Sequence, residues 1–286
     1  MIIAQRANRM RILSAVLLAL IVTVVPKTAN AYVLMGEHVL ELMVKALGQA
    51  DTLEVTQTVT LSTADIPPAS ATLSETVRIR FPVDFRADGA GDGYQRQILM
   101  SGGRVLRAVN GVLQEGSAPR YARYADILMV KPRSALADYL RAMGVDVNVS
   151  SLGRLGDHYG YVVGARFPDE NAAQLWVAKD TFLPMRLLLP PAAMSSGEGP
   201  VEIRYRNWTF VDGLAYPMHI VLWQNHQIKE EIRVDRLQVN PVLSGDLFDF
   251  AALRQAWSRP APVFNDPARS LPEADVPRVT ESEKKN

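Results

Sequence analysis

Cysteine is absent from this chain of 286 residues, and histidine occurs only four times. Without cysteine the protein has no disulfide bond, no thiol nucleophile and no thiolate ligand for a metal ion. A short turn separates His219 from His226, but no carboxylates at the spacing of a metal site accompany them. We therefore expect no metal and no cofactor, and stability has to come from an apolar core.

Motifs for catalysis are lacking as well. Asp157 could orient the imidazole of His158, yet no Gly-x-Ser-x-Gly elbow or comparable nucleophile accompanies the pair. The glycine-rich stretch 89–93 joins two predicted strands instead of opening a helix, which argues against a phosphate-binding loop. The sequence therefore predicts a protein that is not an enzyme.

The N-terminal segment has the three regions of a secretory signal peptide. Arg6, Arg9 and Arg11 precede an uncharged apolar run over residues 12–25, and Ala-Asn-Ala at 29–31 is a small-x-small cleavage site. The run is short for a membrane helix, which needs about 20 residues, although an uncleaved anchor is the alternative. The sequence predicts a signal peptide at 1–31, cleavage after Ala31 and a periplasmic location. No cysteine follows this site, which excludes a lipoprotein anchor.

Charge is nearly balanced over the whole chain, with 31 lysine and arginine residues and 30 aspartate and glutamate residues. Residues 1–31 hold four of the basic residues, Arg6, Arg9, Arg11 and Lys27, and none of the acidic ones. Cleavage would therefore leave 27 basic and 30 acidic residues, a net charge of −3. Since no excess of positive charge remains, we expect no nucleic-acid partner.

Alternation of apolar and polar residues predicts most of the remaining chain as β-strands. In the first such segment Leu53, Val55 and Val59 alternate with polar residues, which is the period of a strand with one wet face. Short turns join these segments, and sequential strands with short connections form an antiparallel meander. The predicted strands cover 53–61, 73–81, 94–100, 104–110, 158–165, 173–179, 182–189, 201–206, 215–223 and 228–239.

Two segments have helical spacing instead. Residues 34–47 carry apolar side chains at intervals of three and four, with Gly48 as the stop, and residues 121–143 fit one or two short helices interrupted at Lys131 and Pro132. We predict an α+β, mainly β fold: an incomplete antiparallel β-barrel, or curved sheet, with these helices covering its concave face. Such helices are usually ordinary core, but they could equally roof a cavity.

Several short motifs, taken in their order along the chain, resemble the LolA/LolB superfamily, the periplasmic carriers and outer-membrane acceptors of lipoproteins. The resemblance covers roughly residues 34–250, and the order of the motifs is more specific than any one of them. The motifs are Leu53–Gln57, Val77–Arg86, Arg104–Gly111, Trp176–Arg186, Val211–Pro217, Val239–Asn240 and Leu247–Phe248.

The resemblance implies a half-barrel domain at 32–258 that encloses an apolar pocket for acyl chains and performs no catalysis. It implies lipids or lipoproteins as ligands, with an inner-membrane donor and an outer-membrane acceptor as partners. A sensor or scaffold module of the same fold, which binds lipid or lipoprotein and signals to a partner, is the alternative. Sensor relatives carry an additional C-terminal domain, and we expect residues 259–286 to be a disordered tail rich in proline and charge.

One position departs from the carrier pattern. The carriers have an arginine directly before the proline that opens the third strand, whereas this chain has Phe81 there and Arg80 one residue earlier. A shift of one residue sends a strand side chain to the opposite face, so we expect a generic lipid binder whose closed state rests on packing. The expected pocket residues are Leu42, Met43, Val77, Ile79, Phe81, Leu128, Leu140 and Ile203.

Overall fold

Thirteen antiparallel strands form one sheet in the computed structural model, which describes residues 33–62, 70–91, 93–114, 123–129, 132–190 and 199–257. The chain divides after Leu34, and all described helices and strands belong to the unit that begins at Met35. The predicted signal peptide and the predicted tail at 259–286 lie outside the described residues.

The strands follow one another as a meander in each half of the sheet, and β1 pairs with β13 to join the halves. The order across the sheet is β6-β5-β4-β3-β2-β1-β13-β12-β11-β10-β9-β8-β7, so β6 and β7 are the edges and the sheet is not closed. The strands are β1 (Thr52–Ser62), β2 (Ser70–Arg80), β3 (Asp84–Gly91), β4 (Tyr94–Ser101), β5 (Arg104–Val109), β6 (Val112–Leu113), β7 (Ser150–Leu155), β8 (His158–Val163), β9 (Gln174–Ala178), β10 (Pro184–Leu189), β11 (Val201–Val211), β12 (Leu214–Gln224) and β13 (Gln227–Val239).

In the part of the chain that the structure describes, four α-helices and one 3-10 helix accompany the sheet: α1 (Gly36–Leu47), α2 (Arg123–Met129), α3 (Arg133–Ala142), the 3-10 helix Gly245–Phe248 and α4 (Phe250–Trp257). Helix α1 buries Val39, Met43 and Leu47, which are one turn apart, and ends at Gly48, whose φ of 75° favours glycine. No described helix has the length and apolar character needed to cross a membrane. The predicted mainly β fold with a curved antiparallel sheet and covering helices is confirmed.

Helices α1, α2 and α3 lie against one face of the sheet, called here the inner face. Helix α1 contacts β8, β12 and α3, and the aromatic ring of Tyr124 in α2 meets the ring of Phe85 in β3 edge-on at 6.4 Å. Arg133 and Arg141 of α3 both pair with Glu37 of α1, at 3.0 and 2.8 Å. The three helices therefore form a connected layer over the inner face.

The other face of the sheet, the outer face, carries a second apolar layer near β4 and β5. Leu99 and Leu106 are opposite each other on these strands and pack with Phe248 of the 3-10 helix and Trp257 of α4. Sequence analysis did not identify α4 as a helix, because its eight residues are too few for a clear apolar period. The C-terminal elements thus cover the part of the outer face near β4 and β5, whereas α1–α3 lie on the inner face.

Three strands of the structure, β3, β6 and β7, are missing from the sequence prediction, and β11 is longer than predicted. Residues 89–91 of the glycine-rich stretch, which was predicted as a connection, belong to β3. Strand β7 was missed because its apolar and polar residues do not alternate: Ser150 and Ser151 are followed by Leu152 and Gly153. Strand β11 continues past the predicted end at Arg206 and reaches the β11–β12 turn. Its residues beyond Arg206 still pair with β12, although the alternation of buried and exposed side chains is lost there.

Candidate functional site

Six of the eight predicted pocket residues are buried on the strands and helices that meet at the inner face, and Phe81 lies outside them in a turn. Val77 and Ile79 alternate with outward residues on β2, and Ile203 has the same orientation on β11. Leu42 and Phe81 are half-buried. The buried six are Met43 on α1, Val77 and Ile79 on β2, Leu128 on α2, Leu140 on α3 and Ile203 on β11.

Arg80 lies on the opposite side from the pocket, as the one-residue shift predicts. Its guanidinium contacts Asp84 at 2.6 Å and lies over the ring of Phe248, 4.9 Å from the centroid. Phe81 lies in the turn after β2, where its backbone N–H donates to the carbonyl of Asp51. Arg80 therefore contributes to the outer-face contacts and not to the pocket.

A different arginine is buried on the inner face. Arg96 of β4 donates from Nε to Oε2 of Glu75 at 2.7 Å and from a terminal nitrogen to Oε1 of Glu230 at 2.5 Å. Gln57 of β1 donates to the second oxygen of Glu75 at 2.8 Å. These four side chains, here the inner polar cluster, are each at most 2% exposed.

Glycine at position 89 makes the Arg96–Glu75 contact possible. Glu75 on β2, Gly89 on β3 and Arg96 on β4 are direct neighbours across the sheet, so they share its inner face. A β-carbon at position 89 would lie only 3.0 Å from Oε2 of Glu75. Because Gly89 has no side chain, the arginine can cross β3 and reach the carboxylate.

Tyr124 connects the cluster to the helix layer. Its hydroxyl accepts a hydrogen bond from Gln57 Nε2 at 3.3 Å, and its backbone carbonyl accepts one from the hydroxyl of Tyr205 at 3.2 Å. Asp126, on the same helix, accepts a hydrogen bond from Tyr139 of α3. Packing between the helices and the sheet is therefore supplemented by hydrogen bonds, which the sequence-based expectation of packing alone did not include.

Burial controls the protonation of these groups. It raises the pKa of Glu230, against the opposing effect of Arg96. Burial also acts to lower the pKa of Arg96. The negative charges of Glu230 and Glu75 act in the opposite direction and are the stronger effect, so the pKa of Arg96 lies well above its usual value. Burial likewise raises the pKa of Tyr124, and the neutral hydroxyl is the form present. Two carboxyl groups thus share the one guanidinium of Arg96.

The sequence did not predict the inner polar cluster, although two of its residues stand at positions where the strand alternation predicts an apolar side chain. Gln57 follows Leu53 and Val55 in the apolar phase of β1, and Glu75 lies between Leu73 and Val77 in the apolar phase of β2. Polar residues in that phase must be buried and therefore need partners. The identity of those partners depends on how strongly the sheet curves, which the period does not reveal.

A surface cavity of about 680 Å³ lies elsewhere, near the β7–β8 and β9–β10 turns and beside β11. Its lining combines apolar residues such as Leu183 and Trp208 with Asp157, Asp180 and Arg204. None of the predicted pocket residues lines this cavity. Among the described residues, no cluster of three or more acidic residues and histidines has the arrangement of a metal site.

Three solved structures are similar to this chain over most of its length. A DUF1329 family protein from Desulfovibrio piger is 12% identical, with a TM-score of 0.50 over 77% of this chain and 99% of that one. A LolA superfamily protein from Nitrosomonas europaea is 17% identical, with a TM-score of 0.49 over 77% and 99%. A domain described as an outer membrane lipoprotein-sorting protein, from Vibrio parahaemolyticus, is 11% identical, with a TM-score of 0.46 over 78% and 100%.

No family model matches the sequence, and no curated protein matches it. Two of these three structures are described as members of the group that the sequence resembles. At identities of 11 to 17%, the likeness describes the fold and does not extend to function.

Proposed function

We propose that this chain is a periplasmic protein that binds the acyl chains of lipids or lipoproteins and carries them toward the outer membrane. The acyl chains bind between the inner face and helices α1–α3, in contact with residues such as Met43, Val77 and Leu128. An inner-membrane donor loads the protein and an outer-membrane acceptor receives the ligand. The observation that supports this proposal is the apolar layer enclosed by an unclosed sheet and three short helices.

Helix α2 is the element best suited to move aside for a ligand. It is 7 residues long, and the hydrogen bonds through Tyr124 connect it to β1 and β11. A helix this short gains little stability by itself, so its position depends on the apolar side chains beneath it. A bound acyl chain can replace those side chains as the apolar surface beneath α2. In the loaded protein α2 therefore packs against the ligand and no longer directly against the sheet.

The energy of acyl burial is sufficient for a carrier. Sixteen carbons at about 0.8 kcal/mol per methylene give roughly 12 kcal/mol, and at least ~4 kcal/mol is lost on association. About 8 kcal/mol remains, which corresponds to micromolar dissociation. A ligand held at this affinity can be loaded and released without a chemical step.

The buried polar groups suit binding better than catalysis. Glu75, Arg96 and Glu230 are paired with one another and have almost no exposed surface, so a substrate in solution does not reach them in the closed state. A non-enzymatic role follows from this pairing together with the apolar surroundings.

Export is the first part of the proposal to test, by N-terminal sequencing of the protein from its own envelope fraction. A chain that begins at Tyr32 in the periplasmic fraction supports export and cleavage. A chain that retains residues 1–31 in the membrane contradicts the carrier proposal.

Ligand binding is tested by mass spectrometry of lipids extracted from the same periplasmic protein, followed by titration of the delipidated protein with a fluorescent fatty acid. Replacing Met43 or Leu128 by aspartate should abolish binding while the far-UV spectrum is preserved, because a charge is introduced into the apolar layer. Met35→Asp is the matched control, since Met35 is 69% exposed. Absence of extracted lipid, together with no binding at tens of micromolar ligand, contradicts the proposal.

Delivery is tested separately, by transfer of a fluorescent lipid between two populations of vesicles. A carrier increases the rate of transfer in proportion to its concentration. A protein that binds the lipid but does not transfer it acts as a sensor or scaffold module of the same fold.

A further inference from the structure

Two buried oxygen atoms of the inner polar cluster accept no hydrogen bond from any described residue. They are Oε1 of Gln57 and Oε2 of Glu230, whose side chains are 0% and 1% exposed. An unpaired buried acceptor is costly, and a native structure usually satisfies it with water or a ligand. Both atoms are acceptors while Glu230 is ionised, so the group that satisfies them has to be a hydrogen-bond donor.

The charge of the cluster favours the same kind of group. Two carboxyl groups, those of Glu75 and Glu230, share the single guanidinium of Arg96. Burial raises the pKa of Glu230, against the opposing effect of Arg96, and Oε2 of this carboxyl group has no hydrogen-bond partner among the described residues. A hydroxyl or ammonium group would stabilise this carboxylate, whereas a second carboxylate would add repulsion.

The cluster also lies at one end of the proposed acyl site. Every second side chain of β2 points to the inner face. Those of Glu75, Val77 and Ile79 follow one another in this way and are all buried. On the helix side, Tyr124 accepts a hydrogen bond from Gln57 and is one turn from Leu128. A chain that runs along Ile79, Val77 and Leu128 therefore brings its polar end to the cluster.

We propose that the inner polar cluster is a head-group site, and that it selects lipids whose polar end donates a hydrogen bond, such as a hydroxyl or an amine, over lipids that end in a free carboxylate. This selectivity rests on the proposed acyl-binding function. Glu230 is the residue that determines it, because its free oxygen faces the bound group.

The wild-type protein tests the proposal without any substitution. Delipidated protein is loaded with N-phenyl-1-naphthylamine, an uncharged fluorescent probe of apolar sites, and the probe is displaced with 1-dodecanol, dodecylamine or laurate at neutral pH. We expect the alcohol and the amine to bind about tenfold more tightly than laurate, the effect of one hydrogen bond to a charged group.

The pattern of displacement separates the two proposals. If none of the three compounds displaces the probe, the acyl-binding function itself is wrong. If all three bind with equal affinity, acyl binding stands but the head-group site is wrong, and the free oxygens contact water only. Tighter binding of laurate than of the alcohol and the amine also overturns the head-group site.

Glu230→Gln identifies the residue responsible. The amide oxygen of glutamine still accepts from Arg96, while its NH₂ group places a donor where the free acceptor was and removes the negative charge. We expect the preference for the alcohol over laurate to fall about tenfold, to near equality. Glu231→Gln is the matched control: it is the next residue on β13, its side chain is 29% exposed, and it pairs with His219 and Arg233.

The control keeps the wild-type preference if the proposal is correct. An unchanged preference in Glu230→Gln, or an equal loss in both variants, overturns the assignment of Glu230. Far-UV spectra and urea unfolding of both variants show that the comparison is made between folded proteins.

Discussion

Arg96 and Glu230 form an ion pair across the interior, although the strands that carry them are not neighbours. Strands β3, β2 and β1 lie between β4 and β13, and four strand spacings amount to about 19 Å in a flat sheet. The side chains nevertheless meet at 2.5 Å, so the sheet must roll around its inner face. The pair thus connects the two meanders at a second place, besides the pairing of β1 with β13.

Loss of the arginine should destabilise the protein strongly. Arg96→Met leaves Glu75 and Glu230 buried without their common partner, and breaking a buried pair in this way costs about 3 to 5 kcal/mol. The free energy of unfolding in urea measures the effect. Arg236→Met, an exposed position on β13, is the control, with an expected change within about 0.5 kcal/mol. Equal stability of the two variants would show that the buried pair contributes little.

A methyl group at position 89 should disturb the cluster. The new β-carbon of Gly89→Ala lies 3.0 Å from Oε2 of Glu75, in the path of the contact with Arg96. Overpacking of this kind costs about 1 to 3 kcal/mol, measured by urea unfolding. Gly245→Ala is the matched control, because its β-carbon meets no atom within 4 Å. The account fails here if the two substitutions have the same effect.

Glu230 should make the stability of the protein depend on pH in a specific direction. A carboxyl group whose pKa is raised in the folded state, here by burial, holds its proton more tightly folded than unfolded. Its contribution to stability is present below the usual pKa of 4.5 and is lost as the pH rises through the raised value. The free energy of unfolding of Glu230→Gln relative to wild type should therefore increase with pH in this range.

Urea unfolding of both proteins at a series of pH values tests this dependence. Subtracting the free energy of unfolding of one protein from that of the other removes the contributions of other titrating groups. Glu202 is one of these: burial opposes its ionisation, but its hydrogen bond to Arg186 outweighs burial and lowers its pKa. A difference that is constant with pH would mean that Glu230 titrates alike in the folded and unfolded chain.

Ligand affinity should be nearly independent of salt. The arginine that faces the proposed ligand site is buried with its partners, and Arg80 lies on the outer face. The exposed pairs of Arg133 and Arg141 with Glu37 join α3 to α1 and do not join the helices to the sheet, so their screening should change the affinity little. Titration with an uncharged lipid from about 0.05 to about 1 M salt should give a constant affinity. A large loss of affinity with salt would indicate that an exposed ion pair holds the helices closed.

The sequence predicts those elements whose apolar residues recur at a regular spacing within one short segment. Alternation identifies β1 and β2, and helical spacing identifies α1, because each pattern is repeated several times within one element. Strand β7 has no such pattern, and α4 is too short to show one. These elements depend on contacts with distant residues, such as those of Trp257 with the outer-face layer.

The candidate site divides in the same way. The inward position of predicted pocket residues such as Val77 and Ile203 follows from the alternation of apolar and polar residues along their strands. The pairing of Arg96 with Glu230 joins residues far apart in sequence and depends on the roll of the sheet. Glu75 could have been noticed as a charged residue in an apolar phase, but its partner could not have been named.

The central claim, that acyl chains bind between the inner face and the helices, is tested most directly by photo-crosslinking. A fatty alcohol with a diazirine in its chain is bound to the delipidated protein and irradiated, and the labelled peptides are identified by mass spectrometry. The account predicts labels on the segments that contain Val77 and Ile79 of β2 and Leu128 of α2. Labels confined to the surface cavity, at residues 155–159 and 204–208, would contradict it.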